Sequence, residues 1–113
     1  MDLSRLNERW AEWAVHSWAA GQLVLIADND LTYHHEVEVR FDEVEFAVIG
    51  DHFNWPVFRP VLPEEEASAR PYLDAPEHAR MWAWDAEVGS AQSSMLVAAR
   101  SATVIEERVL HDR

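Results

Sequence analysis

The chain predicts an α+β fold in which an N-terminal helix packs on a curved, mostly antiparallel sheet of about five or six strands. Two patterns and the composition carry that expectation. In Tyr33-His34-His35-Glu36-Val37-Glu38-Val39-Arg40-Phe41, the residues Tyr33, His35, Val37, Val39 and Phe41 share one parity, and His34, Glu36, Glu38 and Arg40 share the other. Such alternation marks a half-buried strand with one apolar and one wet, mostly acidic face. Near the start, Leu3, Leu6, Trp10, Trp13 and Ser17 follow 3-4 spacing, the pattern of an amphipathic helix. The chain has 113 residues, 49% of them hydrophobic and six of them Trp, enough for one core in a single domain over 1–113.

Taken in order, a helix is expected from about Leu3 to Ala20, capped by Asp2 or Ser4 and stopped by Gly21. Its three Trp read as a face laid on the sheet. Leu23-Val24-Leu25-Ile26-Ala27 is apolar on both faces and reads as a central strand. Asp28-Asn29-Asp30 is turn chemistry, because these side chains bond to nearby backbone. After the alternating strand the apolar parity flips to Val44, Phe46 and Val48. A tight connection at Asp42-Glu43 predicts a hairpin that pairs Val39 with Phe46 and Arg40 with Glu45. The alternative, in the absence of a turn glycine, is a bulge within one longer strand.

The region from His52 to Pro76 holds all five prolines and is expected to be a long excursion, not a central strand. One helical turn is expected at Glu64-Glu65-Glu66. Strand pattern resumes at Met81 with Trp82, Trp84, Ala86 and Val88 on one parity, and Gly89-Ser90 turns the chain. Met95 to Ala99 is another apolar run. Thr103 to Leu110 is the final apolar run; Ala98, Ala102, Ile105 and Val109 also fit a helix, and the β-branched trio Thr103-Val104-Ile105 tips the reading to a last strand.

Composition excludes several chemistries. There is no Cys, which removes disulfides, thiolate nucleophiles and zinc ribbons. There is no Lys either, which removes Schiff-base chemistry and a P-loop. Sixteen Ala beside an all-Arg set of nine basic residues suggests a bacterial genome rich in GC. Met1 to Ala20 carries Asp2, Glu8 and Glu12 and no long apolar run, so a cytoplasmic protein is expected.

The formal charge is −12, and residues 28–66 hold eleven acids against Arg40 and Arg59, a net of −9. That field disfavours nucleic acid and membrane surfaces and favours a basic protein or a divalent cation.

Two constellations stand out. His34, Glu36 and Glu38 are three potential metal ligands on one wet strand face. Alternate strand residues lie about 7 Å apart, so two of them converge on one ion more readily than three. Asp28, Asp30, Asp51 or His52 would have to complete such a site. The segment His52-Phe53-Asn54-Trp55-Pro56-Val57-Phe58-Arg59-Pro60 combines Phe53, Trp55, Phe58 and Arg59, residue types that dominate interface hot spots. His35 reads as an inward, hydrogen-bonded histidine, and a small-ligand pocket lined by Trp82, Trp84 and His35 is a weaker reading. No Gly-x-Ser-x-Gly elbow or His-Glu-x-x-His motif occurs.

The expected function is therefore non-catalytic binding, through Glu36 and Glu38 on the acidic strand and Phe53, Trp55, Phe58 and Arg59 on the aromatic segment. The partner would be a basic protein, as for an inhibitor or immunity-type protein, and no cofactor is required. The alternative is a divalent-metal binder or small metal-dependent enzyme built on His34, Glu36 and Glu38.

Overall fold

The computed structural model describes residues 2–111. Its frame is all antiparallel strand: β1 (Glu12–Ala19), β2 (Gln22–Asp28), β3 (His34–His35), β4 (Val37–Asp42), β5 (Phe46–Val48), β6 (His52–Arg59), β7 (Arg80–Val88), β8 (Ala91–Ala99), β9 (Ser101–Ile105) and β10 (Val109–Leu110). Eight of these form one sheet in the order β5-β8-β7-β6-β1-β2-β4-β9, and β3 pairs with β10 in a small separate ribbon. The only α-helix among the described residues is α1 (Pro63–Ala69), continued by a 3-10 turn at Arg70–Tyr72. The same residues include no helix long and apolar enough to cross a membrane.

The expected N-terminal helix is not formed. Residues Ser4–Leu6 make one 3-10 turn, Glu8 adopts φ 65°, and the chain then extends into β1. The 3-4 stripe was nevertheless a true burial signal, because Leu3, Leu6, Trp10 and Trp13 are all core. Their spacing arises from a 3-10 turn followed by extended chain, and Trp18 beyond it is exposed. Trp and Val suit a strand, and β1 pairs with β2 along its length and with β6 over Glu12–Ala14. Ala20 and Gly21, both at positive φ, make the two-residue turn that joins Ala19 to Gln22, so this glycine closes a hairpin and not a helix.

The Asp42-Glu43 hairpin is likewise overturned. β4 pairs with β2 and β9, whereas β5 pairs with β8, so Val39 faces Val104 and Leu25, and Phe46 faces Ala98. The bulge in one longer strand is what forms. Residues 37–48 run along 96–105, and at the corner three residues (43–45) face two (99–100). Glu45 N–H donates to Ala98 O at 3.0 Å and Arg100 N–H to Asp42 O at 3.0 Å, while Glu43 takes φ 54°. Since β8 and β9 are separated only by Arg100, and β4 and β5 only by the corner, the two ends of the sheet are the same two chain segments. The sheet therefore closes into a barrel whose six walls are β1, β2, β4–β5, β9–β8, β7 and β6.

β6 corrects the proline argument, because it is a wall of the barrel and contains Pro56. Pro56 is tolerated at a bulge, where the register between β6 and β7 shifts between Asn54 and Val57 and pairing with β1 has already ended at Asn54. The expected helical turn at Glu64–Glu66 lies in α1. The strands expected at 23–27, 81–88 and 95–99 are present, as is the Gly89-Ser90 turn with Gly89 at φ 61°, but the single strand expected at 103–110 is broken, β9 ending at Ile105 and Val109–Leu110 pairing separately as β10.

Inside the barrel, Leu23, Leu25, Val37, Val39, Met95 and Val97 surround an aromatic cluster. Trp84 has Phe58, Phe53 and Phe41 at centroid distances of 5.2, 5.8 and 6.5 Å, and Trp13 meets Phe58 edge-on at 5.6 Å. On the outside, Ala69 of α1 shares a second cluster with Ala83, Leu96, Phe46, Val61 and Met81. Of the expected inward set Val44, Phe46 and Val48, only Val44 packs on the barrel core; it is joined by Ala47 and Ile49.

Asn7 extends β6 where β1 does not reach. Its amide accepts from Phe58 N–H at 2.7 Å and donates to Phe58 O at 3.1 Å, standing in for a strand partner. Removing it strips both backbone groups of their partner. Asn7→Ala is expected to lower stability by roughly 1–3 kcal/mol, measured as a shift in urea midpoint at constant slope.

Candidate functional site

The aromatic segment is split by its strand geometry. Phe53 and Phe58 point into the barrel and belong to its core. Trp55 sits at the bulge with φ 48° and is 47% exposed, beside Val57 at 49%. The bulge is pinned from behind: Trp55 N–H and Asn54 Nδ2–H both donate to Ala11 O, at 3.0 and 3.1 Å. A non-glycine residue in the left-handed region costs about 1–2 kcal/mol. Register places acids around it. Asn54 lies between Glu12 and Glu87, and Val57 is opposite Asp85.

Arg59, expected in the binding set, is committed to an internal network. Its guanidinium donates to both Glu65 oxygens at 2.8 and 2.9 Å and to both Asp85 oxygens at 2.9 and 3.1 Å. Ser94 Oγ donates to the same Asp85 carboxylate at 2.6 Å. Arg59 holds the Glu65 carboxyl below its usual range, and Arg59 with Ser94 does the same for Asp85. The network ties α1 to β6 and β7.

The acidic strand also divides. Glu38 is half-buried between His35 Nε2 at 2.9 Å and Arg40 Nη2 at 2.9 Å. Burial opposes its ionisation, but the hydrogen bonds from His35 and Arg40 outweigh that and hold its carboxyl below the usual range. Arg40 thus pairs within its own strand and not with Glu45.

His35 is only 2% exposed and is hydrogen-bonded on both ring nitrogens, as expected of an inward histidine. In the tautomer that donates from Nε2 to Glu38, Nδ1 accepts from His111 Nε2 at 2.8 Å. The His16 ring lies 6.0 Å away. His35 therefore belongs to a histidine cluster, while Trp84 lies in the barrel core, so the expected pocket of Trp82, Trp84 and His35 is not assembled.

Of the expected ligands His34, Glu36 and Glu38, the first two converge with Asp28, their donor atoms lying within 4.8 Å of one another. Glu38 is not part of the group. Asp28 ends β2 and is 3% exposed; its Oδ2 lies 2.6 Å from His34 Nδ1, and its Oδ1 accepts from Asp30 N–H at 2.9 Å. Glu36 is exposed and accepts from Trp10 Nε1 at 3.3 Å. Asp30, Asp51 and His52 do not join this group.

Glu12, Asp85 and Glu87 were missed as surface residues. Alternation with Trp84 and Ala86 was the available signal for Asp85 and Glu87, and the helical reading of the N-terminus hid Glu12. No family model, curated protein or solved structure matches the chain.

The Arg59 network gives a pH signature. Depressed folded-state values mean that Glu65 and Asp85 contribute stability above their unfolded pKa values, near about 4. That contribution is lost as pH falls through the lower folded values. Arg59→Met should therefore destabilise the protein near neutral pH, and the difference from wild type should shrink as pH drops below about 4. Chemical denaturation at a series of pH values measures it.

Proposed function

We propose that the protein is a non-catalytic binding protein that docks a basic protein partner through the outer face of β6 and its neighbours. The contact would centre on Trp55 and Val57 with Glu12 and Glu87 at the rim. A protein that neutralises a basic enzyme or toxin is the concrete form of this reading.

The observation that carries it is the strained, half-exposed Trp55 in the middle of a barrel wall. Strain of this kind concentrates at functional sites, and a Trp in an acidic surround is a natural anchor for an apolar side chain flanked by Arg or Lys. Two further features support it. The barrel interior is occupied by its own aromatic side chains, which leaves recognition to the outer surface. The excess of acid would speed encounter with a cationic partner. Glu36 and Glu38, expected in the docking face from sequence, contribute to this field; Glu38 does so less because His35 and Arg40 pair with it.

The probe is a displayed peptide library of varied charge, selected on the full chain. Enrichment of Arg or Lys around an aromatic or leucine residue is expected, with binding of the selected peptides falling at least about tenfold in Trp55→Ala. Neutral or acidic winners, or winners indifferent to Trp55, would remove the reading.

The strain itself has an independent check. In an ordinary strand, glycine is less stable than alanine by about 0.5–1 kcal/mol. At φ 48° the order should invert, with Trp55→Gly more stable than Trp55→Ala by about 1 kcal/mol in denaturant titrations.

A further inference from the structure

We propose that Asp28, His34 and Glu36 form a binding site for one divalent transition-metal ion, with Zn2+ as the representative ion. The site lies at the start of the β2–β4 connection and does not rest on the Trp55 surface.

The donor atoms lie within 4.8 Å of one another, each residue supplying one. Donor atoms on a tetrahedral ion at bond lengths of about 2.0–2.2 Å lie roughly 3.4 Å apart, so the 2.6 Å contact between Asp28 Oδ2 and His34 Nδ1 must open slightly to admit the ion and Glu36 must close on it, both within reach of small side-chain adjustments. Chain placement favours the convergence. Asp28 is the last residue of β2, and His34 opens the short ribbon strand that returns beside it, with Glu36 N–H donating to Ala27 O at 3.0 Å. That hydrogen bond fixes Glu36 next to the end of β2.

Two observations separate this group from an ordinary patch of surface acid. It includes an imidazole, which favours zinc and its neighbours over calcium or magnesium, whose sites are all oxygen. Its Asp28 carboxylate is also buried, 3% exposed, and its one ion-pairing partner among the described residues is His34. A buried carboxylate needs compensating charge, and a dication beside it supplies that more fully than a histidine proton. The remaining support is already built: Asp30 N–H holds Asp28 Oδ1, and Trp10 Nε1–H holds Glu36 Oε2. Both are outer contacts of the kind that orient ligating carboxylates. Three protein ligands would leave at least one coordination position open to water.

The experiment is isothermal titration of the full chain with zinc chloride, run beside calcium and magnesium chloride. Melting temperatures are recorded in the same solutions. One zinc per chain with a raised melting temperature is expected, with calcium and magnesium much weaker. Glu36→Gln changes an exposed residue and should leave the fold intact while weakening zinc affinity at least about tenfold. His34→Gln should weaken it further, and His111→Ala should leave it unchanged. Absence of zinc binding, equal binding of calcium, or binding that survives both ligand substitutions would overturn the proposal. So would loss of binding in His111→Ala, which would move the ion to the histidine cluster around His35.

Discussion

The structure depends on one constraint, that the strand pair 37–48 and 96–105 must bend at a shared corner for the sheet to close. A one-residue slip in register moves every side chain to the opposite face. The extra residue at 43–45 uses that rule constructively. Before the corner Val37, Val39 and Phe41 face the barrel, and after it Val44, Ala47 and Ile49 pack on the same core. The flip also turns Phe46 outward, where it stacks on Tyr72 at 5.2 Å and joins the cluster beneath α1. Docking of α1 and closure of the barrel therefore follow from the same bulge.

Closure then dictates what fills the interior. The barrel is packed with Trp13, Trp84, Phe41, Phe53 and Phe58, which bury large apolar areas in offset and edge-on contacts. The filling has a cost: Nε1 of Trp13 and of Trp84 are buried without a hydrogen-bond partner. Each such donor costs about 1–3 kcal/mol, reduced where it meets a ring face. That penalty is acceptable beside the burial of two indoles.

The legible parts of the sequence were those governed by local alternation or turn chemistry. The strands around Leu25, Val39, Trp84 and Val97 and the turn at Gly89 could be read directly. The N-terminus could not, because a 3-10 turn followed by extended chain buried Leu3, Leu6, Trp10 and Trp13 at intervals that also describe a helix. Gly21 misled for a related reason, since positive φ serves a helix end and a hairpin alike. Pro56 argued against a wall strand until the bulge removed the ladder bond it could not make. At the candidate sites, alternation put His34 and Glu36 on the wet face and turn chemistry placed Asp28 near them. Nothing local revealed that His35 and Arg40 would draw Glu38 away. The Arg59 network was not legible because its partners, Glu65 and Asp85, come from a helix and a strand brought together only by the closed barrel.

Arg5, Arg9, Arg40, Arg59, Arg70 and Arg100 each have a carboxylate partner, so most of the positive charge is matched locally. The acid left over produces the field, and self-repulsion among exposed carboxylates works against a compact chain. Trp55 adds a second cost that the barrel does not require. A glycine at that φ would form the same bulge, anchored by the same Ala11 carbonyl, and a neutral residue in place of Glu87 would pair equally well with Asn54. The indole and the acid beside it are therefore not requirements of the bulge itself. Their proximity on one outer wall is the physical basis of the recognition role proposed for β6 and its neighbours.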